Sequence, residues 1–294
     1  MAEKIYSPKA MSQMKSKYGF KFSKSLGQNF LTDGHIIEEI VEASGAGPED
    51  LVIEIGPGMG VLTQLAAERA GHVVAIEIDE SLIPILQENL AGCDNVEILN
   101  QDVLKTDINE IIARCHKEFG TKRVKVIGNL PYYITTPIIM KLLEDGIAAD
   151  SITIMLQKEV AERIEAGPGS KAFGAISVAV QYYCTVDHVV KVPKEVFMPQ
   201  PKVDSAVIRL NILPDRSVKV RNEELYFRVV KAGFGMRRKT LSNSLTLLGG
   251  IEKSEIVEAL EKAGIEPSRR AETLSLAEFA KLTDTIEEYL DGIN

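Results

Sequence analysis

Gly128-Asn129-Leu130-Pro131-Tyr132-Tyr133 sets a side-chain amide, a proline-fixed turn and two aromatic rings in immediate succession. Such a set can hold a flat heteroaromatic amine. The Asn129 side-chain oxygen and the Leu130 backbone carbonyl can accept the two N–H bonds of an exocyclic amino group. Pro131 fixes the turn and biases Leu130 toward an extended conformation. The Tyr132 ring can stack on the base, which contributes roughly 1–3 kcal/mol in single-stranded recognition. An aromatic amine is a poor nucleophile because its lone pair is delocalised into the ring, and two acceptors localise that pair for in-line attack on carbon. The proton becomes acidic once the nitrogen is alkylated, so no strong base is needed; positioning and dipoles carry the reaction. The same residues would also suit a strand-end turn with buried aromatics, so the preceding chain has to decide.

Upstream, Leu51-Val52-Ile53-Glu54-Ile55-Gly56-Pro57-Gly58-Met59-Gly60 reads as a strand, a glycine-rich turn and a helix start. The pattern is G-x-G-x-G, with Val61 where a dinucleotide fingerprint has its last glycine. No Lys or Arg lies between Leu51 and Leu65, which disfavours a phosphate-bearing ligand. Glu77, 19 residues after Gly58, falls at the end of the next strand, where an acid can accept both hydroxyls of a ribose. Asp102 sits just past the third strand on the same carboxyl edge and can accept from an adenine amine. Glu54 adds negative charge that favours a sulfonium and opposes pyrophosphate.

These residues need a scaffold that brings strand ends together, and the hydrophobic pattern supplies one. Leu51–Ile55, His72–Ile78, Val96–Leu99, Val124–Ile127 and Ile152–Leu156 read as buried strands. Val61–Ala70, Glu80–Leu90, Ile108–Phe119 and Pro137–Glu144 read as the helices between them, and Asp33 with Ile36, Ile37, Ile40 and Val41 as an N-capped amphipathic helix. Alternation of this kind implies a parallel sheet covered on both faces. Val186–Val192 and Val203–Ile212 read as a strand pair around Phe197-Met198-Pro199-Gln200-Pro201. Beyond Pro214 the pattern is helical, over Glu223–Ala232, Arg238–Leu248, Ser254–Ala263 and Leu276–Leu290.

The net charge of −8 argues at first against a nucleic-acid partner, but its distribution is uneven. Arg216 to Lys239 holds eight basic and two acidic residues, whereas Glu252 to Asp291 holds eleven acidic and five basic ones. A basic strip on an acidic protein can meet phosphate while the remaining charge discourages indiscriminate binding. No apolar run reaches the roughly 20 residues of a membrane span, and the first 25 residues, with six lysines against one glutamate, lack a signal peptide's apolar core. Cys93, Cys115 and Cys184 are widely spaced, and the four histidines form no metal-binding spacing. The expectations are a cytoplasmic chain with no metal and no membrane partner, monomeric in solution.

The chain resembles the KsgA-type ribosomal RNA adenine dimethyltransferases from about Lys24 to Leu282. The resemblance lies in Gly27-Gln28-Asn29-Phe30-Leu31, in Glu54 to Gly60, in Asn129-Leu130-Pro131-Tyr132 and in Phe197 to Ser205. It extends to Phe234-Gly235-Met236-Arg237-Arg238-Lys239-Thr240-Leu241 and to Arg269-Arg270-Ala271-Glu272-Thr273-Leu274. It implies an α/β fold, a Rossmann-like methyltransferase domain with a mostly parallel doubly wound sheet and a smaller C-terminal all-helical domain. The expected divisions are a basic extension over 1–25, a catalytic domain over 26–213 and a helical, RNA-contacting domain over 214–294. It implies an S-adenosylmethionine site lined by Gln28, Asn29, Leu31, Glu54, Gly56, Gly58, Glu77, Asp102 and Asn129. Asn129, Leu130, Pro131, Tyr132 and Phe197 would be catalytic, Tyr132 and Phe197 sandwiching a flipped adenine, and Arg237, Arg238 and Lys239 would reach RNA phosphates. The implied substrate is a pair of adjacent adenines in the 3′-terminal hairpin loop of small-subunit rRNA, within a partly assembled pre-30S-type particle. Three alternatives stay open: a large-subunit methyltransferase, an assembly factor with a vestigial donor site and a nicotinamide dehydrogenase.

Overall fold

A computed structural model of the protein describes residues 5–20, 22–23, 27–236 and 238–291. Its strands are β1 (Phe30–Leu31), β2 (Asp50–Ile55), β3 (His72–Glu77), β4 (Val96–Asn100), β5 (Arg123–Asn129), β6 (Ser151–Gln157), β7 (Cys184–Val192), β8 (Phe197–Met198) and β9 (Ser205–Ile212). Seven of them form one sheet in the order β4-β3-β2-β5-β6-β9-β7, and β1 pairs separately with β8. Strands β4 to β6 run parallel, and β9 runs antiparallel to β6. β2 and β3 are buried along their whole length, as expected for strands covered on both faces.

The order places a topological switch between β2 and β5. From β2 the chain winds outward through β3 and β4, then returns to β5 on the other side and continues to β6. Helices leaving β2 and β5 therefore diverge, and ligands of such sheets bind in the crevice at the carboxyl ends of these two strands. Register sets the two motifs side by side, because Ile55 pairs with Gly128 across β2 and β5.

Local chemistry builds the flanking helices. Asp33 accepts from the backbone N–H groups of His35 and Ile36 at 2.9 and 3.2 Å, capping helix Gly34–Ser44. Ile37, Ile40 and Val41 of that helix are buried in the core with Val52, Ile127, Met155 and Val207, each side chain contributing about 1.5–3 kcal/mol. The extension over 1–25, expected only as a basic segment, contains the helix Pro8–Tyr18. Ser7 caps it by accepting from the Ala10 N–H, and Gly19 ends it in the left-handed region at φ 62°.

The compact units are not the contiguous blocks 26–213 and 214–294. One unit comprises 1–161 with 185–212, and the other 162–184 with 213–294. The second unit gains helix Ala175–Tyr183, where the sequence pattern suggests no element. There Tyr182 and Tyr183 donate their hydroxyls to the Glu223 carboxylate at 3.0 and 2.8 Å. Helices Glu223–Gly235, Lys253–Lys262 and Leu276–Asp291 complete it. The helix expected over Arg238–Leu248 is shorter: extended Thr240 delays the start to Leu241, and the α-helix Leu241–Ser244 passes into a 3₁₀ turn over Leu245–Leu248.

Candidate active site

A cleft of about 1120 Å³, counted out to its open mouth, lies within the first unit at the switch between β2 and β5. The turn after β2 forms its floor. Gly56, Gly58 and Gly60 all have positive φ, at 69°, 61° and 84°, a conformation that glycine adopts without strain. A Cβ on Gly58 would come within 2.9 Å of the Phe30 ring, so the backbone there is open to a ligand only as glycine.

Three acids stand in the wall. Glu77 is 5% exposed, and its carboxylate accepts from the Gly58 N–H at 3.2 Å and the Asp79 N–H at 2.9 Å. Burial pushes its pKa upward, and those backbone donors partly oppose the shift. Glu54 is 1% exposed and receives a hydrogen bond from the Thr63 hydroxyl on Oε2 at 2.5 Å, while Oε1 has no partner. Burial pushes its carboxyl up to about 8, the nearby Glu77 charge adding to the shift. Glu54 is therefore protonated at neutral pH in the free protein, in contrast to the charge expected of it from sequence; the difference comes from complete desolvation. Asp102, half-buried, lies at the next strand end and accepts from the Leu104 N–H at 3.0 Å.

The amide turn closes the cleft from β5. Asn129 donates its Nδ2–H to the Asn29 backbone carbonyl at 2.9 Å, which leaves its Oδ1 as the acceptor. The Leu130 N–H is held by the Met155 carbonyl at 3.2 Å, and Leu130 itself is 1% exposed. The Tyr132 hydroxyl and Ser205 Oγ lie 2.6 Å apart, tying the turn to the start of β9. Burial raises the Tyr132 pKa despite that hydrogen bond, so the ring meets the cleft as a neutral phenol.

Of the residues singled out by sequence, Gln28, Asn29, Leu31, Glu54, Gly56, Gly58, Glu77, Asp102, Asn129, Leu130, Pro131 and Tyr132 all line this cleft. Gln28 has its amide committed elsewhere, donating to Asp79 at 2.6 Å and accepting from the Ser23 N–H at 2.8 Å; it braces the entry motif. Phe197 does not line the cleft. It is 5% exposed, packed with Leu31, Val192 and Val207, and pairs with Leu31 where β8 meets β1. Arg238 and Lys239 are exposed in the turn ahead of helix Leu241–Ser244, and Arg237 lies outside the described residues.

Sequence reasoning missed Ile78 and Val103, which line the cleft beside Glu77 and Asp102; Ile78 is 52% exposed. The signal available was an acid followed at once by an apolar residue at two successive strand ends. Such a pair can set an apolar surface against a ligand beside a carboxylate acceptor. No Lys or Arg lines the cleft among the described residues, so it suits a cationic or neutral ligand better than a phosphate.

The family model described as ribosomal RNA adenine dimethylase matches residues 19–288. A relative from Alkaliphilus metalliredigens, named ribosomal RNA small subunit methyltransferase A, is 54% identical over 285 residues, covering 97% of this chain and 98% of its own. One of the same name from Clostridioides difficile is 50% identical over 97% of each chain. Among solved structures, a dimethyladenosine transferase from Plasmodium falciparum aligns with a TM-score of 0.71 at 27% identity, over 86% of this chain and 95% of that one. The 23S rRNA methyltransferase ErmE aligns at 0.66 and 28%, over 88% and 99%.

Proposed function

The chain belongs to the ribosomal RNA adenine dimethylase family, and we propose that its cleft transfers methyl groups from S-adenosylmethionine to N6 of two adjacent adenines in the 3′-terminal hairpin loop of small-subunit rRNA. The product is N6,N6-dimethyladenine, and the substrate is a partly assembled pre-30S-type particle. The chain works as a cytoplasmic monomer, and residues 214–294 carry the RNA-contacting helices.

The cleft's own chemistry fits that donor. Glu77 offers a buried carboxylate to a ribose, Asp102 an acceptor to an adenine amine, and Glu54 an unpartnered oxygen. When bound, the donor supplies an electrophilic methyl group on a sulfonium. Asn129 Oδ1 and the Leu130 carbonyl accept the two N–H bonds of the target amine and turn its lone pair toward that carbon. As the N–C bond forms and the S–C bond breaks to leave a neutral thioether, nitrogen would become cationic, and the same acceptors would stabilise the charge until its proton passes to water. Tyr132 stacks on the extruded base, and Phe197 supplies the opposite face by leaving its core contacts. A second transfer needs only rotation of the monomethylated amine, since one acceptor then suffices.

The observation that supports this reading is the hydrogen bond from Asn129 Nδ2 to the Asn29 carbonyl, which commits the donor end of the amide and leaves Oδ1 to accept, in a residue that lines a cleft with three acids. Labelled methyl transfer to unmethylated small-subunit particles, followed by mapping of the modified bases, is the test. The expected result is dimethylation of two neighbouring adenines near the 3′ end. Label confined to large-subunit RNA would establish the competing target that ErmE's name describes, and no label on either would leave an RNA-binding assembly role.

A further inference from the structure

We propose that His72, Glu97 and Cys115 form a binding site for a borderline-soft divalent cation of the zinc type, at the sheet edge opposite the methyl-transfer cleft. The imidazole, carboxylate and thiol each bring one ligand atom, and the three atoms lie within 4.8 Å of one another. They come from three elements: His72 opens β3, Glu97 is the second residue of β4, and Cys115 lies in helix Ile108–Phe119. Spacings of 25 and 18 residues fit no sequence signature, so the cluster exists only once the sheet has formed.

The unusual feature is His72. It is 6% exposed, and its Nε2 is buried without a hydrogen-bond partner; Glu97 Oε2 is 4.0 Å away. A buried polar atom left alone is costly and commonly marks an ion or water site. Phe119 stacks on the imidazole face, with centroids 3.8 Å apart and planes at 14°, which fixes the ring while leaving its edge toward the other two groups.

Cys115 is fully buried, and half-buried Glu97 provides the route inward. Around a tetrahedral zinc, ligand atoms are roughly 3.3–3.6 Å apart, so each group must move by about an ångström. The Glu97 Oε2 that faces His72 now also holds the Arg114 guanidinium at 2.7 Å, so the carboxylate must turn for one oxygen to bind the cation while the other keeps Arg114 as an outer partner. Solvent would complete the coordination. On binding, the Cys115 S–H proton passes to solvent and the thiolate sulfur donates its electron pair to the cation. Thiolate with imidazole favours zinc over magnesium or calcium. The site lies five residues from Glu77 along β3, on the order of 16 Å at ~3.3 Å per residue, so it acts on stability and not on the transferred methyl group.

The test uses the full chain, freed of any affinity tag, stripped with a chelator and titrated with zinc. One equivalent should bind and raise the melting temperature. Cys115→Ser and His72→Gln should each weaken binding about tenfold or more, while Cys93→Ser and Cys184→Ser should not. Because the buried variants can fail to fold, X-ray absorption on the wild-type zinc protein provides a reading that needs no variant. It should show one sulfur near ~2.3 Å and nitrogen or oxygen near ~2.0–2.1 Å. Failure of the stripped protein to take up one equivalent, or a zinc shell without sulfur, overturns the proposal, as does zinc affinity unchanged in a folded Cys115→Ser chain.

Discussion

In the proposed methyl transfer the two amide ends of Asn129 have different tasks: Nδ2 is anchored on Asn29, and Oδ1 would take the incoming amine. Asn129→Ala removes the acceptor and one tether but opens no core cavity, since the residue is only half-buried. The expected outcome is a fall in the methyl-transfer rate of about 10²–10³-fold, typical of losing one preorganised dipole, with a melting temperature close to wild type. A purified, folded variant that still transfers methyl groups at the wild-type rate rules out the amide as the lone-pair acceptor. Glu54 makes a prediction about pH. Its carboxyl stands at about 8 against an ordinary 4.5, so between those values the folded protein keeps a proton that the unfolded chain has released. This group therefore costs stability progressively as pH rises from about 4.5 to about 8 and adds no further dependence above. A sulfonium nearby favours the carboxylate, so donor binding should expel the proton, while the uncharged thioether product should not. The ratio of S-adenosylmethionine to S-adenosylhomocysteine affinity should climb toward pH 8 by at most about tenfold per unit and level off beyond it. Calorimetry in buffers of different ionisation enthalpy reads the proton directly, and Glu54→Gln should abolish the slope. A ratio flat from pH 6 to 9 removes Glu54 from charge recognition.

At the scale of elements, the cleft depends on how closely β2 and β5 approach. Gly128 sits opposite Ile55, and a Cβ there would fall 2.7 Å from the Ile55 carbonyl oxygen. That atom belongs to the backbone and cannot rotate away. Gly128→Ala should push the strands apart, lowering unfolding free energy in urea by about 1–3 kcal/mol, the usual cost of overpacking. It should also weaken S-adenosylhomocysteine binding, because the same strand ends carry the glycine turn and Asn129. Unchanged urea stability would mean that the sheet adjusts there. This pairing also shows which parts of the fold the sequence made legible. Strand ends carrying Glu77, Asp102 and Asn129 were readable because short β-branched runs alternate with amphipathic helices. Helix Ala175–Tyr183 was not, because Ser177 to Val180 with Tyr182 and Tyr183 are buried around most of its circumference and leave no polar stripe to reveal a 3.6-residue period. Lys158–Glu165 was missed because it follows β6 without an intervening residue, so no break separates the two patterns. Phe197 was located in its motif, but its packing follows from pairing of β8 with β1 across 166 residues, from Leu31 to Phe197, and no local signal encodes that.

For the molecule as a whole, the question is how a chain of net charge −8 would engage a polyanion. Pairing within the helical unit answers part of it. Arg221 and Lys262 both meet Glu288, Arg269 meets Glu278, and Arg216 meets Glu223 while lying 4.4 Å over the Tyr183 ring. These cations neutralise their own acidic neighbours and have little left for phosphate. Arg228, Lys231, Arg238 and Lys239 are exposed and form no ion pair among the described residues, so the strip from Arg216 to Lys239 is basic at its far end in fact as well as in count. Replacing Arg238 and Lys239 together by glutamine should weaken binding to small-subunit particles. It should also reduce the slope of log affinity against log salt by about 2, one for each phosphate no longer neutralised. The same substitution at Arg216 and Arg221 should change the slope far less, because those side chains are already engaged. Methyl transfer at saturating particle concentration should be unaltered, since neither pair lines the cleft. The comparison of the two double variants is the decisive measurement. Equal salt slopes would show that freedom from internal pairing does not select the cations that meet RNA, and slopes both at the wild-type value would place the phosphate contacts on some other surface.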